Sequence, residues 1–147
     1  MTSINVVVHG VLGKMGQEVL NAVCDADDLT PVGGADFASS DDDSITTKNS
    51  LKIPLSNDLR KVISTADVVV DFTNADGARI VMSVAAANKV HCVIGSTGLS
   101  EKDFETAQSL AEENGTSIII APNFAMGAVL MMHLVRQASK FFEYADL

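Results

Sequence analysis

The sequence predicts an α/β fold with a Rossmann-like, doubly wound and mainly parallel sheet, and three observations support this prediction. Apolar runs rich in valine and isoleucine alternate with segments of helical periodicity along the chain. Runs such as Val6–Val8 and Ile118–Ile120 are continuous, as is typical of strands buried on both faces of a parallel sheet. A glycine-rich turn, Gly10–Gly16, joins the first predicted strand to the first predicted helix. We expect one domain over residues 1–147, a length that can bury a core.

Five strands and four helices follow from these patterns, and their alternation builds a right-handed, doubly wound sheet. The predicted strands are Asn5–His9, Thr30–Gly34, Val68–Phe72, Val90–Ile94 and Ser117–Ala121. The predicted helices are Lys14–Asp25, Ser56–Ser64, Gly77–Asn88 and Glu101–Asn114. Ser100 and Asp103 suit a capping box at the start of the last of these helices, and Gly115 suits its end.

Two segments depart from the alternation. The stretch Asp36–Ser50 is polar, acidic and without periodicity, which predicts a surface loop. A further helix over Met126–Phe142 is apolar on nearly every face, so we expect it to be buried. Its residues Leu130, Val135 and Phe141 are predicted to pack against the sheet or against a neighbouring copy of the chain. Because the sequence stops soon after this helix, we expect a domain boundary there or a chain that oligomerises.

Composition excludes several classes of protein. A net charge of −9 argues against binding to nucleic acid or to an anionic membrane. No apolar run reaches the ~18 residues of a membrane helix, and the N-terminus lacks the basic region of a signal peptide. The two cysteines, Cys24 and Cys92, do not make a disulfide framework, and we interpret them as small buried side chains of a cytoplasmic protein. No histidine pair has metal-ligand spacing, so no metal site is predicted.

Every motif that could carry chemistry follows a predicted strand, which is where open α/β sheets bind ligands. The glycines of Gly10–Gly16 let the backbone approach a pyrophosphate at a helix N-terminus. Asp36 lies 20 residues beyond Gly16, where a carboxylate accepts hydrogen bonds from a ribose. Three more motifs follow later strands: Asp71-Phe72-Thr73, Gly95-Ser96-Thr97-Gly98 and Ala121-Pro122-Asn123-Phe124.

Each motif also has a purely structural interpretation. Glycines turn the chain between a strand and a helix, and Asp71 suits a helix or loop cap better than a catalytic acid. His9 and His133 suit structural positions, and His91 suits the exposed start of a strand. No Ser/His/Asp or Cys/His set emerges. Turns alone do not explain five such motifs, each placed after a strand, so the conjunction favours a dinucleotide-binding domain.

The motifs together resemble the N-terminal half of the dihydrodipicolinate reductase (4-hydroxy-tetrahydrodipicolinate reductase) family of bacterial lysine biosynthesis. The resemblance spans essentially the whole chain and rests on Gly10–Gly16, Asp71–Thr73, Gly95–Leu99 and Ala121–Gly127. It implies an NAD(P)H-dependent reductase that transfers a hydride to a cyclic dihydrodipicolinate-type substrate. The cofactor-binding residues that it implies are Gly10, Val11, Leu12, Gly13, Lys14, Met15, Asp36, Phe72, Thr73, Gly95, Ser96, Thr97, Ala121, Pro122, Asn123 and Phe124.

The same resemblance assigns roles along the cofactor. It implies that the glycine turn holds the pyrophosphate, that Asp36 contacts the ribose, and that Phe72 and Thr73 line the adenosine side. It also implies that residues 95–97 and 121–124 contact the nicotinamide half and that Thr97 faces the substrate. Lys14 stands where the family usually has arginine. Lysine keeps the positive charge but lacks the planar guanidinium that can donate two parallel hydrogen bonds. Ser96 stands where the family usually has threonine. Phe37 follows Asp36 with no arginine beside it, so we expect NADH to be preferred over NADPH.

The family's histidine-histidine-x-x-lysine motif and D-A-P-S-G-T-like loop are absent from the 147 residues. In the family they lie on a second domain that also carries the tetramer interface, so we predict no catalytic residue here and no turnover by this chain alone. The whole enzyme is expected to be a homotetramer acting on a small-molecule substrate. Two alternatives stay open: a stand-alone NAD(H)-binding sensor, and another aspartate-pathway oxidoreductase such as homoserine dehydrogenase, against which Ala121–Phe124 argues.

Overall fold

The computed structural model describes residues 3–41, 43–121 and 123–142, and these form an α/β fold around one seven-stranded sheet. The strands are β1 Ile4–His9, β2 Leu29–Ala35, β3 Asp43–Thr46, β4 Lys52–Ser56, β5 Val68–Asp71, β6 His91–Ile94 and β7 Ile118–Ile120. The helices are α1 Lys14–Asp25, α2 Ala75–Ala87, α3 Glu101–Asn114 and α4 Met126–Ser139. Two short 3-10 helices span Leu59–Lys61 and Ile63–Thr65.

The strand order is β3-β4-β2-β1-β5-β6-β7, and every neighbouring pair is parallel except β3 with β4. The chain leaves β1 towards β2 on one side and returns to β5 on the other. This reversal creates a topological switch point at the carboxyl ends of β1 and β5, the position where doubly wound sheets bind ligands.

Alternating side chains of β1 supply the two halves of the core. Val6 and Val8 join a cluster with Leu20 and Val23 of α1. Val7 points to the opposite face and joins a larger cluster with residues of α2, β5 and β6. Because both faces of the sheet are covered, the central strands are continuous apolar runs, and the predicted mainly parallel Rossmann-like fold is confirmed.

The predicted loop over Asp36–Ser50 is wrong in part. Residues Asp43–Thr46 form β3, which pairs antiparallel with β4 and places Ile45 opposite Ile53. The backbone N–H of Thr47 donates to Leu51 O at 2.8 Å and closes the turn between the two strands. The hairpin forms because Ile53 and Leu55 alternate with exposed residues and bury one face of β4.

The predicted helix over Ser56–Ser64 is also wrong. Ser56 is the last residue of β4, and the two 3-10 helices follow it. Local side-chain bonds fix the turn before them: the Asp58 N–H donates to Ser56 Oγ at 3.1 Å, and the Arg60 N–H donates to Asp58 Oδ1 at 3.0 Å. Such short-range polar contacts compete with a continuous helix.

The last helix, α4, forms where it was predicted but is not buried. No described residue of α4 is buried, and the helix contributes to neither core cluster. Leu130, Val135 and Phe141 are 58%, 52% and 86% exposed, so the expected packing against the sheet is wrong. The reason is that α1 already covers one face of the sheet and α2 with α3 cover the other. Packing against a neighbouring copy stays a prediction.

Candidate functional site

A cavity of about 530 Å³ opens at the switch point, within the ordinary size range of small-molecule pockets. Its walls come from the segments that follow β1, β2, β4 and β5 and from the first turns of α2. Five of the predicted cofactor-binding residues line it: Gly10, Gly13, Asp36, Phe72 and Thr73.

The turn after β1 is tight and needs glycine at two positions. Gly10 has φ +79°, and a Cβ on it would lie 2.8 Å from Thr73 Cγ2. A Cβ on Gly16 would overlap the carbonyl oxygen of Gly10, so α1 can approach the turn closely only with glycine there. Gly13 differs from both, because the nearest atom to an added Cβ is 3.3 Å away and its surface faces the cavity.

The N-terminus of α1 is left unneutralised beside this cavity. Gly13 is its N-cap and offers no side-chain hydrogen bond, and the first turn contains no acidic residue. By contrast, α2 is capped by Asn74, whose side chain accepts from the Gly77 N–H at 3.0 Å, and carries Asp76 in its first turn. The free amide groups and positive dipole end of α1 therefore suit an anion such as a pyrophosphate.

Asp36, just beyond β2, is buried and held by the backbone. Its Oδ2 accepts the Leu12 N–H at 3.0 Å and its Oδ1 accepts the Ala38 N–H at 3.0 Å. The first of these bonds ties the carboxylate directly to the glycine turn. A carboxylate has roughly four acceptor positions, so each oxygen can still accept from a ribose hydroxyl.

Asp71 is fully buried at the end of β5 and joins the three central strand ends. Its Oδ1 accepts from Thr73 Oγ1 and from His9 Nδ1, both at 2.7 Å, and its Oδ2 accepts from Ser96 Oγ at 2.5 Å. The expectation of a helix cap at Asp71 is wrong, because α2 takes Asn74 as its cap. The bond from Thr73 does tie the carboxylate to the loop that follows β5. The carboxylate instead fixes the segments after β1, β5 and β6 relative to one another.

Phe72 connects the cavity to the later motifs. Its ring contacts Gly95, where a Cβ would overlap the ring, and lies 5.5 Å from the ring of Phe124, centroid to centroid. The inclination of 56° between the two rings is a favourable aromatic geometry. The motifs that follow β5, β6 and β7 therefore meet at one aromatic ring.

The remaining predicted residues take varied positions around this centre. Val11 is fully buried in the core, so only its backbone can reach a ligand. Leu12, Lys14, Met15 and Thr97 are exposed. Ser96 is buried and its hydroxyl is bonded to Asp71. Ala121 is half-buried and Asn123 exposed, with the Asn123 side chain accepting the Ala125 N–H at 3.2 Å, whereas Pro122 lies outside the described residues.

The cavity also contains residues that the sequence analysis did not select: His9, Phe37, Arg60 and Ile80 among them. Arg60 was missed because its segment was predicted as a helix, whereas the turn after β4 brings it to the cavity beside Asp36. The sequence predicts no role for Phe37 beyond the lack of an arginine at its position. The alternation of Ile53 and Leu55 is the sequence signal that could have predicted β4, and with it the position of Arg60 just beyond the end of that strand.

The described part of the chain gives little support for a cysteine nucleophile, a metal site or a membrane-spanning helix. Burial, helped by the nearby charge of Asp71, raises the pKa of Cys92 to about 12, so its thiol stays protonated at neutral pH and is not a nucleophile. Among residues 3–41, 43–121 and 123–142, no group of three or more His, Cys, Asp or Glu side chains could hold a metal ion. No helix in the same ranges is both long and apolar enough to cross a bilayer.

The switch-point cavity, the glycine turn, the open helix N-terminus and the buried Asp36 carboxylate define a dinucleotide-binding domain of the Rossmann type. Comparison with known proteins gives the family. Residues 4–124 match the family model described as dihydrodipicolinate reductase, N-terminus, and the chain belongs to this family. The family binds a nicotinamide cofactor through this N-terminal domain.

Individual relatives agree with the family assignment. The chain is 45% identical to 4-hydroxy-tetrahydrodipicolinate reductase of Dehalococcoides mccartyi over 100% of its own length and 57% of that protein. It is 36% identical to the Synechococcus elongatus enzyme of the same name, over 98% of this chain and 56% of that one. The chain thus spans little more than half the length of these curated relatives.

Solved structures separate the family from the wider fold. Dipicolinate-bound dihydrodipicolinate reductase from Paenisporosarcina superposes with a TM-score of 0.76 at 31% identity, covering 96% of this chain and 55% of that one. Homoserine dehydrogenase of S. aureus superposes with a TM-score of 0.68 at 19% identity, covering 84% and 33% of the two chains. The second likeness shows the shared fold alone, so the alternative that this chain is a homoserine dehydrogenase gains nothing from it.

Proposed function

We propose that this chain is the NAD(P)H-binding domain of a 4-hydroxy-tetrahydrodipicolinate reductase, an enzyme of lysine (diaminopimelate) biosynthesis in the cytoplasm. The observation that carries the proposal is the cavity at the switch point. Asp36 lies there beside the unneutralised start of α1, because its carboxylate accepts the Leu12 N–H of the glycine turn. This arrangement offers hydrogen-bond acceptors for a ribose and donors for a pyrophosphate within one site.

The residues present fit a nicotinamide dinucleotide. Gly10, Gly13 and the first amides of α1 would hold the pyrophosphate, with the exposed Lys14, the first residue of α1, as a cation. Asp36 would accept from the adenosine ribose, and Phe72 and Thr73 would line the adenosine side. Gly95, Thr97 and the segment around Phe124 would face the nicotinamide half. The bound cofactor supplies a hydride, and the chain's own residues position it and exclude water.

The substrate chemistry belongs to the proposal for the whole enzyme. The relatives act on a small molecule, and we propose the cyclic dihydrodipicolinate-type substrate and a homotetrameric enzyme. The 147 residues contain no histidine-histidine-x-x-lysine motif, so we expect this polypeptide to bind the cofactor without reducing the substrate. Turnover above background by the 147-residue polypeptide would contradict this part of the proposal.

NADH is the proposed preferred cofactor, with NADPH the weaker one. Three carboxylates, Asp36, Asp58 and Asp76, line the cavity and would repel a 2′-phosphate. Arg60 lines it too, but its Nη1 already donates to Asp58 Oδ1 at 3.3 Å and its side chain is 68% exposed. One exposed guanidinium that is paired with a carboxylate does not outweigh three acidic groups.

Isothermal titration of the 147-residue chain with NADH and NADPH at matched ionic strength tests the proposal. We expect NADH to bind about tenfold more tightly or better. The variant D36S should lose about tenfold in NADH affinity, because a charged acceptor for the ribose is removed, and should gain in relative affinity for NADPH. D28S, which removes an exposed carboxylate at the opposite end of β2, is the matched control. Equal affinities for both cofactors would overturn the preference, and no binding of either would overturn the function.

A further inference from the structure

Phe37 is an exposed aromatic residue at the mouth of the cavity. Its side chain is 91% exposed, although the phenyl ring has no polar atom that benefits from water. The residue nevertheless lines the same cavity as Asp36 and Ile80. An apolar ring held at a cavity mouth gains free energy when a flat ligand covers it.

The backbone around Phe37 is fixed although the side chain is free. The Asp36 N–H donates to Ser56 O at 3.0 Å, which ties the segment to the end of β4. Both the N–H and the hydroxyl of Ser39 donate to Asp36 O, at 3.0 and 2.7 Å, and the Ala38 N–H donates to the Asp36 carboxylate at 3.0 Å. This turn holds Phe37 directly beside the carboxylate that is proposed to bind the ribose.

A second apolar side chain lines the cavity from another element. Ile80 lies on α2, is 50% exposed, and faces the same cavity as Phe37. The two residues come from the β2 end and from α2, while polar groups such as Asn57 and Asn74 line the cavity too. A flat, apolar ring system with polar edges suits such walls, since its faces meet apolar groups and its edge atoms can hydrogen-bond.

We propose that Phe37 is the adenine-binding residue of this domain, with its ring stacked on the base and Ile80 contributing to the apolar lining. The proposal rests on the proposed cofactor-binding function and assigns its adenine subsite. Stacking on an aromatic side chain makes a substantial contribution to the binding of a base, so Phe37 determines affinity for the adenosine half of the cofactor and not for the nicotinamide half.

Truncation of the ring tests the assignment. F37A should bind NADH and ADP-ribose about tenfold more weakly than the parent chain by isothermal titration, while its affinity for nicotinamide mononucleotide stays within twofold. F141A is the matched control, because Phe141 is 86% exposed and lies outside the cavity, and it should bind all three ligands as the parent does. Thermal unfolding of both variants should be close to that of the parent, since neither ring is buried.

An optical readout tests stacking directly. The chain contains no tryptophan, so F37W introduces a single indole at the cavity mouth. Its fluorescence should be quenched by 5′-AMP and by NAD⁺ but not by nicotinamide mononucleotide, and F141W should respond to none of them. If the parent binds NADH but F37A binds it equally well and F37W is not quenched by 5′-AMP, the Phe37 assignment is wrong. If the parent binds no NADH, the proposed function fails instead.

Discussion

At the scale of single residues, the buried carboxylate of Asp71 holds the ends of three strands together. It accepts from His9, Thr73 and Ser96, and these residues belong to the segments that also supply the glycine turn, the Phe72 wall and the Gly95 loop. Three donors that converge on a buried carboxylate satisfy it without water, and removing the carboxylate leaves them without their shared acceptor.

The substitution D71N should therefore reduce both stability and cofactor affinity. An amide of the same shape offers one acceptor oxygen in place of two, so it cannot accept from His9, Thr73 and Ser96 together in their present geometry. We expect the free energy of unfolding in urea to fall by about 2 kcal/mol, and NADH to bind more weakly even well below the melting temperature. S96A, which removes a single donor, should cost roughly 1 kcal/mol. A D71N variant with the parent's stability and NADH affinity would show that the network does not position the site.

The sequence could place most of these residues but not their contacts. Asp36, Gly10 and Gly13 lie at the switch point, as their spacing from a strand end in the sequence indicates, whereas their role in cofactor binding stays a prediction. The sequence suggests a cap at Asp71 because two of the partners of this buried carboxylate, His9 at the end of β1 and Ser96 after β6, are distant in the sequence and nothing local identifies them. Phe37 and Arg60 were missed because only the folded sheet brings their two segments together.

At the scale of elements, one ion pair fixes α3 against α2. Arg79 of α2 donates through Nε and Nη2 to the two carboxylate oxygens of Asp103, at 2.8 and 3.0 Å. Asp103 also accepts from the Ser100 N–H at 2.7 Å and from the Ser100 hydroxyl at 2.8 Å, at the start of α3. The Arg79 bonds, followed by those from Ser100, hold the pKa of Asp103 well below its usual range.

This depressed pKa predicts how the contribution of the Arg79–Asp103 ion pair to folding stability depends on pH. A carboxyl whose pKa is lower in the folded state contributes stability above its unfolded pKa, about 3.9, and loses it progressively as the pH falls below that value. D103N should therefore melt at a lower temperature than the parent at pH 7, and the difference should shrink between pH 4 and pH 2. The comparison requires thermal unfolding curves of both proteins across that range.

D76N provides the matched control for this ion pair. Asp76 is bound to the same arginine, through Nη1 at 2.7 Å, but its side chain is 89% exposed, so its removal should change the melting temperature much less. Parallel melting curves for the parent and D103N at every pH would contradict the proposed role of the pair.

Element boundaries were predicted best where side chains determine them locally. Helices α1 and α3 begin and end at the predicted residues, because the glycine turn starts one and Asp103 with Gly115 bounds the other. The hairpin of β3 and β4 was not predicted, because its pairing joins a short acidic strand to a strand containing Pro54, and strand pairing depends on residues distant in the sequence.

At the scale of the whole molecule, α4 carries a large exposed apolar surface. Its exposed residues include Met126, Leu130, Met131, Leu134 and Val135. The prediction of burial rests on apolar residues on nearly every face of the helix, a pattern that shows the cost of exposing it to water but does not determine which surface it packs against. A contiguous apolar face of this kind promotes association.

We predict that the 147-residue chain associates in a concentration-dependent manner through α4. The double variant L130Q/L134Q should shift the protein towards monomer in sedimentation velocity, because it removes two apolar side chains from the exposed face. Its affinity for NADH should not change, since neither residue lines the cofactor cavity. Q137A, a substitution of a polar residue on the same helix, is the control. A monodisperse monomer of the parent chain at high concentration would contradict the prediction.

The cavity walls have a consequence for how the domain folds. They come from four stretches that are far apart in the sequence, near residues 10, 37, 58 and 75, and the central strands bring these stretches together. Partial melting of any one of them removes a wall, so only the fully assembled domain can hold the ligand. By mass action, a dinucleotide at a hundred times its dissociation constant would add about 2.7 kcal/mol to the unfolding free energy. The concentration of the cofactor in the cell would then also influence what fraction of the protein is folded.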